Sequence, residues 1–500
     1  MLVRIGPRYL GLLALAGDAL VNTPAQAHGF GQRYDLPIPL SVYIFGAGAT
    51  VALSFVMVAV FLRTGRPPNA YPRPSLLRSA ASRLWAGRFV LVARTFAVGY
   101  FILMIAAGLF GAQTPMRNII VVSIWIIGWV AISLCSALVG DVWRILNPWD
   151  TLFSVAARIH AWLRPHRRFA VGLPYPASLE MWPAFFLFVT FAWMELIWNG
   201  RDVPARLAGA MLLYSGITWT GMFVFGQETW RKHGEMFTVV FGIFARFAPL
   251  ASDESAGNGM MLRLPACGLL EDRKNSWGMT LVVITLLATV TFDGLLETPL
   301  WAYMDLAIIN APDDSFLWTF FDFSEAAALR FERTIGLMLF VLLFISAYLS
   351  VCKIMAATTC GTGGGTAHLA RRFVFSLLPI SIAYHIAHYF SYLFNGGQLI
   401  IPLLSDPFGF GWDLFGTAAY QPNIGLVSPI LQWYVAVVAI VVGHVIAVYV
   451  AHLTALSTFG ERRMALRSQL SIIVLMVSYT MLSLWILSQP IIETRSGGWP

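Results

Sequence analysis

Long apolar stretches separated by short polar segments dominate the chain. Stretches long enough to cross about 30 Å of hydrocarbon lie near 38–62, 89–111, 118–139, 179–198, 204–226, 277–297, 333–356, 373–394, 429–452 and 469–489. This pattern predicts an all-α fold, a polytopic transmembrane helix bundle of about ten spans. Composition agrees, because 58% of the 500 residues are hydrophobic and only 12% are charged, whereas a soluble domain has about 25% charged residues.

The N-terminus has the layout of a secretory signal peptide. Arg4 and Arg8 form a basic start, residues 9–17 are apolar, and Ala25-Gln26-Ala27 is a small-x-small cleavage site. We therefore predict a signal peptide over 1–27 and a single transmembrane helical domain over 28–500, with His28 as the first mature residue. The alternative is an uncleaved N-terminal anchor.

Charge gives the predicted orientation. If residue 28 lies outside, the segments predicted to lie inside carry 23 of the 33 Lys and Arg residues, and the outer segments carry six. This bias predicts a multi-pass protein of the bacterial inner membrane, with both mature termini on the periplasmic side. The net charge of +8 then comes from basic loops that orient the protein in the membrane. No nucleic-acid partner is therefore expected. Segments 150–163 and 235–250 are amphipathic and are predicted to lie on the inner membrane surface.

Two histidines stand out inside the apolar segment 373–394. His385 and His388 are three residues apart, which places both imidazoles on one face of a helix. Ionisable groups at membrane depth are costly and often mark functional sites. The alternative is that these histidines only form hydrogen bonds between helices.

Other polar residues are predicted at similar depth. Glu195 and Asp293 fall in the outer halves of their spans, and His28 starts on the same side. His444 lies in the middle of its span. The longest predicted outer loops, near 298–332 and 395–428, are rich in aromatic residues that could cover a site from outside.

Imidazoles and carboxylates together predict a divalent metal, of which zinc, manganese and copper are the candidates. Such a metal would activate water, with Asp293 or Glu195 as the catalytic base. The candidate ligands are His385, His388, His28, His444 and Asp293.

Four groups of residues resemble bacterial membrane proteins of the fenitrothion hydrolase family. They are His28-Gly29 with Asp35-Leu36-Pro37-Ile38-Pro39; Gly140-Asp141-Val142-Trp143-Arg144 with Asn147-Pro148-Trp149; Phe241-Gly242 with Ala245-Arg246 and Ala248-Pro249; and Thr291-Phe292-Asp293-Gly294. The resemblance covers most of residues 28 to about 300. It implies an inner-membrane hydrolase of lipophilic organophosphate triesters that releases a nitrophenol. It assigns no catalytic residues.

Three other functions fit the same residues. The protein could be a transporter for a metal ion or small molecule, with these residues as its transport site. It could be a redox subunit whose histidines bind haem or copper. It could also be an assembly partner of an unknown membrane subunit, without chemistry of its own.

Overall fold

The computed structural model describes residues 36–62, 71–76, 80–253, 259–271, 275–312 and 324–490. The structure is 75% helical, and the described residues contain ten helical stretches long and apolar enough to cross a membrane. The protein is therefore an all-α polytopic bundle, and the predicted number of spans is confirmed. The predicted signal peptide and His28 lie outside the described residues.

The helices follow one another with short connections. In chain order they are α1 (Leu40–Phe61), α2 (Ala80–Phe110), α3 (Ile119–Leu138), α4 (Trp143–Leu146), α5 (Pro148–Leu163), α6 (Trp182–Leu196), α7 (Pro204–Phe225), α8 (Gln227–His233), α9 (Met236–Ala245), α10 (Trp277–Leu296), α11 (Pro299–Ile309), α12 (Glu325–Thr358), α13 (Thr366–Phe373), α14 (Leu378–Ser391), α15 (Ile400–Ser405), α16 (Pro429–Phe459) and α17 (Arg462–Ser488). A small hairpin pairs β1 (Leu250–Asp253) with β2 (Gly259–Leu262), antiparallel, with Leu250 opposite Leu262.

The histidine-bearing helix is central in the bundle. In the most apolar part of the stretch that includes α13, α14 and α15, 89% of the residues are buried. The corresponding fraction is 83% in α10 and 6% in α2. Helix α16 packs tightly on α14 because Gly443 has no side chain. A Cβ there would lie 2.3 Å from the Cβ of Ala383. The polar residues of α10 and α14 are therefore in the protein interior and do not face lipid.

The prediction that 235–250 lies on the membrane surface is wrong. Most of α9 is buried inside the bundle, where it packs against α3 and α6. The carboxylate of Glu235 accepts hydrogen bonds from the backbone N–H groups of Phe237 and Thr238 and so caps the helix. Because Glu235 is itself fully buried, it ties α9 into the interior.

The other predicted surface segment, 150–163, is only partly at the surface. Helix α5 begins with buried residues, among them Trp149 and Asp150. Asn147 caps this helix by accepting a hydrogen bond from the backbone N–H of Asp150. Only the later turns of α5, around Ile159 and Trp162, are exposed.

The two predicted outer loops contain more structure than expected. Helix α11 lies within 298–332, and α15 lies within 395–428. The second loop packs on the α2–α3 connection, where the backbone N–H groups of Ala112 and Ile119 donate to the carbonyls of Phe408 and Pro407. It is thus held at the edge of the bundle by α2 and α3.

Candidate functional site

A phenol joins the buried carboxylate of Asp293 and the partly buried carboxylate of Glu195 at the end of the bundle where α6 and α10 finish, which we call the site end. The hydroxyl of Tyr389 donates to Asp293 Oδ2 at 2.9 Å and to Glu195 Oε1 at 3.2 Å. Glu195 lies in the last turn of α6 and Asp293 in the last turn of α10. One phenolic proton can satisfy only one of the two oxygens at a time.

His388 completes this group. Its Nε2 atom lies 2.8 Å from Asp293 Oδ2, and both side chains are 6% exposed. The contact is an ion pair when both ring nitrogens carry a proton, and a hydrogen bond from Nε2–H to the carboxylate when only Nε2 does. Glu195, Asp293, His388 and Tyr389 therefore form one hydrogen-bonded group inside the bundle. We call it the carboxylate–imidazole site.

His385 lies beside the site but is turned elsewhere. Its Nε2 atom is 3.1 Å from Ser133 Oγ. Its ring packs edge-on against Trp129, with centroids 5.3 Å apart, and against Tyr389 at 4.7 Å. The two histidines predicted to share one function thus contact different partners, because His385 reaches α3 and His388 reaches α10.

A buried donor without a partner faces the site. The indole N–H of Trp129 lies near Glu195 and Tyr389 and interacts with both electrostatically, but it has no partner at full hydrogen-bond geometry, and the residue is 4% exposed. A buried donor without a partner costs free energy, and such a donor in a natural protein calls for an explanation. The arrangement fits a bound water or a ligand oxygen near this N–H.

Two π-helical segments lie beside the site, one within α3 and one directly after α14. The π-helical part of α3 runs from Ser123 to Ala131 and includes Trp129. A second π-helical segment, Tyr392–Gly396, begins just after Tyr389 and α14. Such segments are rare and often occur at functional sites, because they shift side chains away from regular helical positions.

Gln432 of α16 stabilises the second distortion. Its Oε1 accepts from the backbone N–H of Ser391 at 3.0 Å, and its Nε2 donates to the carbonyl of Ala387 at 2.8 Å. These are the two groups that would bond each other in a regular α-helix. The side chain thus binds both partners of one helical hydrogen bond immediately beside His388 and Tyr389.

His444 belongs to a neighbouring polar group. Its Nδ1 bonds the carbonyl of Ile440 at 2.8 Å, and its Nε2 has no partner. Its ring lies 5.9 Å from that of Tyr479, whose hydroxyl bonds Thr291 Oγ1. Tyr384, whose hydroxyl also has no partner, connects this group to His388, with ring centroids 6.2 Å apart.

The structure therefore gathers part of the predicted site. Glu195, Asp293 and His388 meet, His385 lies alongside, and His444 lies in the adjacent group. His28 lies outside the described residues. Within the described residues, no group of three or more His, Cys, Asp or Glu side chains is arranged to hold a metal ion. The predicted metal ligands do not converge there, so the metal stays a prediction.

Sequence reasoning missed Tyr389, Trp129 and Gln432. An aromatic residue in an apolar helix is usually a core residue, and nothing in the sequence distinguishes Trp129 from the other tryptophans. Tyr389 follows His388 directly, and this adjacency is the one available signal. Gln432 is a polar residue inside a predicted span, which is the kind of position that carries function or interhelical hydrogen bonds.

Comparison of the chain with protein-family models, with curated proteins and with solved structures found no match. The fold and site define an all-helical, multi-pass membrane protein with an ionisable group in its interior. The resemblance to fenitrothion hydrolases stays a prediction.

Proposed function

We propose that the protein is a membrane-embedded hydrolase that cleaves lipophilic phosphotriesters at the carboxylate–imidazole site. The observation that carries the proposal is the buried 2.8 Å contact between His388 Nε2 and Asp293 Oδ2, with a phenol and a second carboxylate beside it. A carboxylate that holds an imidazole orients it and stabilises its protonated form, which is how a general base is assembled in many hydrolases.

The chemistry requires only water and the triester. His388 would take a proton from water as the water oxygen bonds to phosphorus. The bond from phosphorus to the aryl oxygen would break, and the nitrophenolate would leave with the bonding electron pair. The proton then passes to the phenolate or to bulk water, which leaves a dialkyl phosphorothioate. The indole N–H of Trp129 and the hydroxyl of Tyr389 would donate to the atom on phosphorus that gains negative charge.

The location suits an apolar substrate. Neutral triesters partition into hydrocarbon, and the site lies among helices that cross the bilayer. The aromatic rings that surround His385, including Trp129 and Phe244, provide an apolar wall for an aryl leaving group. We expect the substrate to enter between helices from the lipid. The periplasmic location of the site end is a prediction from the distribution of Lys and Arg.

A divalent metal is an independent prediction and no step above depends on it. Of the predicted ligands, Asp293 and His388 are in direct contact, whereas His385 Nε2 contacts Ser133. Elemental analysis of the purified protein beside Asp293→Asn tests this point. A stoichiometric metal that the variant loses would place it at the site, and an equal content in both proteins would exclude this location.

The hydrolase is tested with the full chain in lipid nanodiscs and a nitrophenyl phosphotriester, by measuring nitrophenolate absorbance. We expect Asp293→Asn and His388→Gln to lower the rate by about 100-fold or more, since general base catalysis contributes about 10²–10⁴. The matched controls are Asp202→Asn and His166→Gln, both at exposed positions, which should keep full activity. Wild-type release no faster than that of heat-denatured protein would refute the proposal, as would full activity of both site variants.

Transport is the second candidate function. It is favoured by the polar group of Tyr384, Tyr479 and His444, which extends from the site into the middle of the bundle. Uptake of the triester or of a metal ion into proteoliposomes, without nitrophenol release and abolished by Asp293→Asn, would support it over hydrolysis.

A further inference from the structure

The exposed end of α5 and the chain that follows it form a basic, aromatic surface away from the site end. We call residues 155–168 the basic segment. Arg158, Arg164, Arg167 and Arg168 lie in it, and residues 161–168 are all exposed. The sequence has no Asp or Glu between positions 151 and 179. The segment therefore carries four positive charges with no acidic residue nearby in the chain.

These arginines have no carboxylate partners in the part of the chain that the structure describes. Other arginines here do pair, as Arg231 does with Asp150 and Arg333 with Asp305. No ion pair or other interaction of the four guanidinium groups is found among the described residues. No described residue therefore neutralises their charge, and it is available to a partner outside the bundle.

An apolar stripe accompanies the charge. Val155, Ile159 and Trp162 are spaced four and three residues apart, which places them on one face of α5. They are 43%, 53% and 81% exposed, respectively. The buried side of the same helix, with Trp149 and Phe153, faces the bundle. The helix therefore presents a second apolar face outward, with arginines beside it.

The fold holds this surface in place. Asp150 at the start of α5 lies within 3.3 Å of Arg231 and accepts from Gln227. Phe169, just after the basic segment, packs on Phe153, with ring centroids 5.1 Å apart. The backbone N–H of Val171 then donates to the carbonyl of Phe223. The segment is anchored at both ends, so its orientation on the bundle is fixed.

Position along the chain identifies the partner. The segment lies between the span that ends at Leu138 and the span that begins at Ala177, so it lies where the bundle leaves the hydrocarbon. A tryptophan at this level is typical of the membrane interface. Guanidinium groups bind phosphate oxygens through paired N–H donors. Anionic lipid headgroups present such phosphates at this depth, next to acyl chains that would cover Ile159 and Trp162.

We propose that the basic segment is a binding site for anionic phospholipids, with the arginines on the headgroup phosphates and the apolar stripe on the acyl chains. The site goes beyond the proposed hydrolase function and does not depend on it. It would fix the position of α5 and, through Asn147 and Trp149 at its start, hold that end of the bundle against the bilayer surface.

The test uses the full chain in phosphatidylcholine vesicles with spin-labelled phosphatidylglycerol or spin-labelled phosphatidylcholine. The measured quantity is the fraction of each labelled lipid that the protein immobilises. We expect wild type to prefer phosphatidylglycerol, and Arg158→Gln/Arg164→Gln/Arg167→Gln/Arg168→Gln to lose about half of that preference or more, since each basic group near the surface contributes to anionic lipid binding. Folding should be retained because none of the four side chains has a partner among the described residues.

Two double variants are compared, each lacking two positive charges. Arg167→Gln/Arg168→Gln removes them from the basic segment, and Arg206→Gln/Arg330→Gln removes them near the site end. The first pair should weaken the preference and the second should leave it unchanged. Equal immobilisation of the two lipids by wild type would overturn the proposal. The arginines would then serve to orient the protein in the membrane or to bind a soluble partner. An unchanged preference in the quadruple variant, or equal effects of the two double variants, would also overturn it.

Discussion

Two buried carboxylate centres in this bundle differ in how they are satisfied. Glu235 accepts hydrogen bonds from Tyr214, Asn147 and Trp143 side chains and from two backbone N–H groups of α9. At the carboxylate–imidazole site, Glu195 and Asp293 share one phenol, and the nearby indole N–H of Trp129 is not used. The first centre satisfies one carboxylate with neutral donors, and the second combines two carboxylates with one phenol and an ionisable imidazole.

An aromatic wall keeps the two centres apart. Trp129 packs on Phe191 at 5.0 Å and on Phe241 at 6.4 Å, and Phe237 and Trp143 continue the wall toward Glu235. The comparison shows that burial of a carboxylate alone does not identify a site. A carboxylate with a full set of neutral donors stabilises the fold, whereas ionisable groups that share protons are suited to chemistry.

The largest effect is expected from a substitution that disrupts the hydrogen bonds of the Glu235 centre. Glu235→Gln replaces an acceptor oxygen by an NH₂ group that faces N–H and O–H donors, so several buried donors lose their partner. We expect the free energy of unfolding to fall by about 3 kcal/mol, measured by denaturant unfolding in detergent. Asp293→Asn should change it by less than about 1 kcal/mol. Similar losses in both variants would contradict the distinction between the centres. Glu228→Gln, at an exposed position, is the control and should leave stability unchanged.

The next prediction concerns the unused donor. Trp129→Phe removes the indole N–H and keeps an aromatic ring. We expect kcat for triester hydrolysis to fall about 100-fold, the typical loss for one donor to a developing anion. The matched control is Trp230→Phe, because the N–H of Trp230 is also buried without a partner but lies on α8, away from the site. Equal kcat losses in the two variants would show that the N–H of Trp129 has no special role.

Hydropathy predicted the ten spans, because crossing a bilayer demands long apolar helices whatever the fold. It failed for α9, whose ten residues are too short to span and whose flanking Glu235 and Arg246 resemble an interfacial helix. Only the three-dimensional structure shows that Asn147 and Tyr214 satisfy that glutamate inside the bundle. Counting depth along each span placed Glu195, Asp293 and His388 at one level. Helix rotation is not fixed by the sequence, so their contact, and the divergence of His385, could not be predicted.

A smaller effect is expected from the residue that distorts α14. Gln432→Leu removes both side-chain hydrogen bonds, so the Ala387 carbonyl and the Ser391 N–H can bond each other as in a regular helix. This would turn Tyr389 relative to Asp293, and we expect kcat to fall about tenfold, the effect of roughly 1.4 kcal/mol in barrier height. Gln432→Glu keeps the acceptor for Ser391 and should retain more activity. Two equally active variants would show that the distortion does not position the site.

The smallest effect concerns Glu297, which follows α10 and lies outside its span. Burial, and next the negative charge of Asp293, raise the pKa of Glu297 above its usual value. A carboxyl whose pKa is raised in the folded state does not destabilise the fold at low pH, where it is protonated. As the pH rises through its folded-state pKa, the group ionises at a cost and the fold loses stability. Glu297→Gln should therefore match wild type in acid and have the higher Tm at neutral pH.

The measurement is Tm across pH for wild type, Glu297→Gln, Asp293→Asn and Glu297→Gln/Asp293→Asn. Because Asp293 contributes to the shift, the gain from Glu297→Gln should be smaller when Asp293 is already neutral. Parallel Tm curves for wild type and Glu297→Gln would contradict the raised pKa. An equal gain with and without Asp293 would mean that burial alone acts on Glu297. A gain that depends on Asp293 would instead show that the charge of the carboxylate–imidazole site extends past the end of α10, in contrast to Glu235, whose charge is matched by donors on all sides.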